Sequence, residues 1–173
     1  MTSERARKRF LEIVEPHLDD AYTLAKVLAG APSDAEDIVQ EAAIRALAAL
    51  ERTTVTSPRA WWLAIVRNAA LTYIGRRRPG ALAYVGDLDD LDAFGAADAA
   101  TAETGLIAAE QDAAVRQAVA ALPSPLRETL VLREINGLNY REIAEATATP
   151  MGTVMSRLAR ARAAIAKRLD NLR

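Results

Sequence analysis

The side chains of this chain that could do chemistry are arginines and hydroxyl residues at helical spacing, not nucleophiles set beside bases. There is one histidine, His17, and no cysteine. His17 adjoins Pro16 in a helical stretch, a setting for a partly buried or surface imidazole and not for a general base. The serines have no base in a recognisable arrangement, and no glycine-rich phosphate loop is present. The paired carboxylates Asp19-Asp20 and Asp89-Asp90 are sequence neighbours that diverge, so neither catalysis nor a metal site nor a cofactor is expected. Binding chemistry remains. Between residues 150 and 170, Val154, Leu158, Ala161, Ile165 and Leu169 fall on one apolar stripe. Thr153, Ser156, Arg160 and Lys167 are left on a polar face, with Arg157 and Arg168 at its edge, a pattern able to offer donors to a DNA major groove.

That face needs a frame, and the preceding residues write one. Asn139 with Glu142 three residues on predicts a capped helix start. Thr149 as cap and Pro150 at the first helical position predict a second start. Two short helices around a tight turn make a helix-turn-helix, preceded by a helix through Arg127 to Glu134. Ala148 occupies the turn, and if that position needs positive φ the alanine costs on the order of 1 kcal/mol.

The 173 residues, 51% hydrophobic but only 5% aromatic, with no strand-length apolar alternation, predict an all-α protein of two small helical domains. The net charge of −1 conceals a segregation: residues 1–80 sum to +2, residues 81–115 to −8 and residues 116–173 to +5. Residues 81–109, rich in Ala, Gly and Asp, read as a flexible acidic linker between domains at 1–80 and 110–173. By itself it suits a passive tether or a short helix docked on a neighbour. No run is long and apolar enough to span a bilayer, and a cytoplasmic location is the default expectation.

The N-terminal part reads as a helical bundle. A first helical stretch over about 4–29, broken near Pro16 and stopped by Gly30, buries Phe10, Ile13, Val14, Leu18, Tyr22, Ala25 and Leu28. Ser33 and Glu36 suggest a capping box for a second helix, with Ile38, Val39, Ala42, Ala46 and Leu50 inward and Asp34, Asp37, Gln40 and Glu41 in an acidic outer strip. After a loop at Thr53 to Ser57, Ser57 and Pro58 open a third helix that carries Trp61, Trp62, Arg67, Asn68 and Tyr73 and ends in Arg76-Arg77-Arg78. Trp62 and Tyr73 are expected to be core.

The strings Ala35-Glu-Asp-Ile-Val-Gln-Glu41, Trp62-Leu-Ala-Ile-Val-Arg-Asn-Ala-Ala70 and Gly152-Thr-Val-Met-Ser-Arg-Leu-Ala-Arg-Ala-Arg162 occur in this order. Together they resemble bacterial extracytoplasmic-function sigma factors, over residues 10–79 for the family's second conserved region and 110–170 for its fourth. The resemblance implies that Asp34, Asp37, Gln40 and Glu41 meet core RNA polymerase at the beta-prime clamp, with the beta flap as a further contact. It implies that Thr53, Thr54, Thr56, Trp61, Arg67, Asn68, Arg76, Arg77 and Arg78 open the promoter and read the minus-ten element as a single strand. For the minus-thirty-five duplex it implies Thr153, Met155, Ser156, Arg157, Arg160 and Lys167. Met155 stands where many members carry Lys or Arg. For the linker the resemblance implies a nucleic-acid mimic in which Asp87, Asp89, Asp90 and Asp92 occupy a positive channel and Leu88, Leu91 and Phe94 anchor it. An anti-sigma factor is an expected partner, and a membrane is not.

Two other readings compete. A simple helix-turn-helix regulator explains residues 110–170 and leaves the first half without a purpose. A sigma-like decoy that binds only an anti-sigma factor needs no basic recognition face, whereas Arg157, Arg160, Arg162, Lys167 and the Arg76 to Arg78 run are all present.

Overall fold

The computed structural model describes residues 3–79 and 106–171. Every regular element among them is helical: α1 (Glu4–Val14), a 3-10 turn (Glu15–His17), α2 (Leu18–Ala29), α3 (Pro32–Ala49), α4 (Pro58–Arg77), α5 (Leu106–Ala120), α6 (Ser124–Glu134), α7 (Tyr140–Thr147) and α8 (Met151–Asp170). Residues 81–105 of the linker expected over 81–109, with the readings of it, lie outside the described residues. Residues 106–109 already belong to α5, so the second helical unit starts earlier than expected.

Local signals account for most boundaries. Pro16 lacks a backbone donor, and the expected break is a single tight turn between α1 and α2. Gly30 ends α2 at φ 84, a left-handed conformation that glycine adopts without penalty. The capping box at α7 forms in full: Glu142 N donates to Asn139 Oδ1 and Asn139 N to Glu142 Oε2, both at 2.9 Å. Ala148 does sit at φ 51, so the turn carries the alanine cost anticipated above.

Three expected caps do not form. Pro32 takes the first helical position of α3 behind Ala31, which places Ser33 inside the first turn, where its hydroxyl is not the cap. Pro150 is itself the N-cap of α8, while Thr149 Oγ1 lies 2.8 Å from Thr147 Oγ1. Ser57 does precede Pro58 at the start of α4, yet its hydroxyl donates to Glu142 Oε1 at 3.2 Å instead of capping. Burial also departs in places. Leu18 is 41% exposed at the first turn of α2, and Phe10 and Tyr22 are half-buried.

Helices α2, α3 and α4 pack on one another with α1 laid across them, and α6, α7 and α8 form a second group with α5 against α8. Trp62 is fully buried in the first group, its Nε1 donating to His17 O at 3.2 Å, so the indole ties α4 to the 3-10 turn. The groups meet along two seams, α2 against α6 and α4 against α7, and one apolar cluster runs through both.

Candidate nucleic-acid and partner interfaces

The acidic strip on α3 is smaller than the sequence suggested. Asp37, Gln40 and Glu41 are exposed along one line of the helix, and Glu41 pairs with Arg45 one turn on at 2.9 Å. Asp34 belongs elsewhere. Its carboxylate accepts from the Tyr73 hydroxyl at 2.8 Å and from Arg77 Nη1 at 3.2 Å, and the Arg77 guanidinium lies 4.9 Å over the Tyr73 ring. The hydrogen bond to the carboxylate and, after it, burial raise the Tyr73 pKa above 10.0, with Arg77 opposing. Tyr73 is thus half-buried: its ring packs against the core as expected, while its hydroxyl reaches the rim of a cavity of about 230 Å³ with Asp34, Arg77 and Arg78. In place of Asp34, the exposed line is continued by Ile44, 66% exposed one turn beyond Gln40 and Glu41. The same spacing was present in the sequence, and its apolar type hid it.

The loop before α4 is held from behind. Arg9 donates to Leu50 O at 2.8 Å and to Thr53 O at 2.9 Å, which satisfies the carbonyl end of α3 and fixes the path of Thr53 to Thr56. Thr53 is half-buried, and Thr54 and Thr56 are exposed. Thr54, Thr56 and half-buried Trp61 line a cavity of about 180 Å³ whose far wall is Glu145 and Ala146 of α7. Along α4, Asn68, Arg76, Arg77 and Arg78 are exposed.

Arg67 is not presented to solvent. Its Nε and Nη2 make a bidentate pair with Glu128 of α6 at 2.8 and 3.0 Å, and Nη1 reaches Asn68 Oδ1 at 3.1 Å. The Glu128 side chain is 2% exposed, and Arg157 of α8 approaches it from its own helical group at 3.7 Å. One buried carboxylate therefore serves two guanidiniums from the two halves of the chain. Burial lowers the Arg157 pKa, Glu128 opposing and Arg67 adding to the drop. Arg157 is thus an internal partner of α6, not an edge residue of a DNA face. Beside this pair, Asp20 accepts from Arg59 at 2.9 Å and, through its backbone oxygen, from buried Asn136 at 3.1 Å. Sequence reasoning missed Glu128, Asn136 and Arg59, since Arg127-Glu128 reads as an ordinary charged helix surface.

On α8, Met155 is 51% exposed, Ser156 and Lys167 are exposed, and Thr153 and Arg160 are half-buried. Ser156 Oγ donates to Thr153 O at 3.0 Å. Arg162 pairs with Glu134 of α6, a hydrogen bond that raises its pKa. No group of acidic, histidine or cysteine side chains among the described residues could hold a metal ion, and no described helix is long and apolar enough to cross a membrane.

Comparison with known proteins fits this division. Residues 13–79 match the Sigma-70 region 2 family and residues 112–165 the Sigma-70 region 4 family. The ECF RNA polymerase sigma factor SigW of Bacillus subtilis is 31% identical over 94% of this chain and 90% of its own length. The ECF RNA polymerase sigma-E factor of Escherichia coli K12 is 35% identical over 80% of this chain and 75% of its own. The sigma factor RpoE of Bartonella quintana, solved in complex with the anti-sigma factor NepR, has the same fold with a TM-score of 0.67 at 24% identity, over 94% of this chain and 96% of that one. The chain belongs to the extracytoplasmic-function sigma factors of bacterial RNA polymerase.

Proposed function

We propose that this sigma factor binds core RNA polymerase through Asp37, Gln40, Glu41 and Ile44, reads the minus-ten element with the loop Thr53 to Thr56, Trp61, Arg67, Asn68 and the Arg76 to Arg78 run, and reads the minus-thirty-five duplex with α8. It acts as a specificity subunit in the cytoplasm, with no bond-making chemistry of its own. Residues 1–80 and 110–173 are the two working domains. The observation that carries this reading is the separation of three surfaces on one chain: an acidic strip that ends in an exposed isoleucine, a helix with a loop cavity at its start and an arginine run at its end, and an outward helix-turn-helix. Acidic side chains leading to an exposed isoleucine suit a basic partner that also buries apolar area. A single strand needs stacking surfaces and cations, which Trp61 and the arginine run supply.

Arg67 and the loop cavity face the second helical group, so a strand can occupy them only after that group moves away. An anti-sigma factor, the kind of partner with which the Bartonella relative was solved, would act by keeping the two groups together. Transcription from a cognate promoter by core polymerase plus this chain tests the reading. Substituting Asp37, Gln40 and Glu41 by alanine should abolish recovery of the chain with core polymerase without altering its helical content. Undiminished recovery would remove the strip from the interface.

A further inference from the structure

The outward face of α8 is nearly free of charge where it begins. Gly152, Met155, Ser156 and Ala159 are all exposed and lie together on the side of the helix opposite buried Val154, Leu158 and Ala161. Cations flank this face on α8, with Arg160 and Lys167 to one side and Arg162 to the other. Such a face is poorly made for phosphate and well made for the floor of a groove.

Two further observations point outward from the fold. Gly152 has no positive φ, and a Cβ built on it would meet nothing within 4 Å, so neither backbone conformation nor packing calls for glycine in this turn. Glycine costs up to about 1 kcal/mol relative to alanine inside a helix, and a gap that the chain does not use suits close approach by another molecule. The Ser156 hydroxyl spends its hydrogen on Thr153 O, which leaves its oxygen facing out as an acceptor. Met155, half exposed beside it, brings an unbranched, polarisable side chain to the same place.

We infer that Met155 is a specificity-determining residue of the upstream duplex contact, and that it reads thymine by packing on the 5-methyl group in the major groove. Thymine is the one base that presents a methyl group there, and apolar side chains recognise it by contact. Ala159, one turn on, extends the apolar surface, and Gly152 lets the start of α8 approach closely. The occupant is therefore duplex DNA with at least one thymine beneath Met155. The inference rests on the promoter reading proposed above.

The test uses the full chain bound to core RNA polymerase and promoter DNA whose upstream duplex has been randomised and selected for binding. Each thymine of the enriched upstream element is then replaced by uracil, which removes only the methyl group. At one position the wild-type complex should lose about fourfold in affinity, the value expected for one buried methyl group. The complex carrying Met155→Ala should bind the thymine and uracil duplexes equally. Met155 is exposed, so unchanged helical content and recovery with core polymerase accompany the substitution. If every uracil duplex binds like its thymine parent, or if Met155→Ala keeps the difference, the inference is overturned while promoter reading stands, and the face serves another occupant such as a protein helix. If no upstream element is enriched at all, promoter reading itself fails and takes the inference with it.

Discussion

One apolar cluster fills both helical groups and crosses the seam between them, and what sets the seam apart is the polar chemistry added to it. Inside, Leu24, Ile38, Leu63 and Trp62 on one side and Leu126, Leu132, Ile143 and Leu158 on the other are buried apolar side chains. Thr129 and Thr147, also buried, donate to carbonyls one turn back in their own helices and ask nothing of a neighbour. At the seam the buried polar groups are Glu128 and Asn136, and both reach across it for partners. Ser57 and Glu142 also meet there, with Glu142 using one carboxylate oxygen for its own helix cap and the other for Ser57. Apolar burial is non-directional and stays favourable as side chains shift, whereas an ion pair is lost within a few ångströms and regained by water. Interiors of the first kind hold a domain folded. Polar pairs of the second kind can be exchanged for water without unfolding either half, so at the seam they resist separation less than the apolar cluster does.

The largest effect should come from the interior. Trp62→Ala removes the indole and its bond to His17 and should cost about 3–5 kcal/mol, seen as an early loss of helical signal on heating. If it instead left the melting curve unchanged while the molecule expanded, the contrast between core and seam would collapse. Next comes Glu128→Ala, which leaves two arginines without their carboxylate and should cost about 3 kcal/mol, because it touches both α8 and the seam. Arg67→Ala should be milder for folding yet plain in shape: Glu128 keeps Arg157, the melting temperature falls little, and the radius of gyration by solution X-ray scattering rises. A compact Arg67→Ala protein would show that the apolar cluster alone closes the seam. The smallest effect is a gain. Ala148→Gly relieves a left-handed residue and should stabilise the second group by about 1 kcal/mol, with no change in compactness.

Short-range chemistry was legible in the sequence. Asn139 and Glu142 are three residues apart, Gly30 follows an apolar run, and Pro16 interrupts one, so each outcome depends on neighbours visible in the string. The strip on α3 was legible except at its ends, where Asp34 is drawn away by Tyr73 and Arg77, residues about forty positions distant. The caps expected at Ser33 and Thr149 failed because an adjacent proline shifted the helix start by one or two residues. The seam was not legible at all. Arg67 and Glu128 are 61 residues apart on helices that each look amphipathic alone, and no periodicity announces that two charged side chains will be buried against each other.

Glu128 has a second partner, and this decides how the molecule can open. A carboxylate paired only across the seam would lose its whole cationic partnership once the halves parted and would have to be satisfied by water alone. Here Arg157 comes from the same helical group as Glu128 and remains beside it. Only Arg67 would depart, toward water or, under the function proposed above, toward a phosphate. Opening is in this respect a ligand exchange at a guanidinium, one anion for another, with charge conserved on both sides of the equation. A nucleic acid strand would thus compete with Glu128 for the same cation, and the seam would part in proportion to how much strand is present.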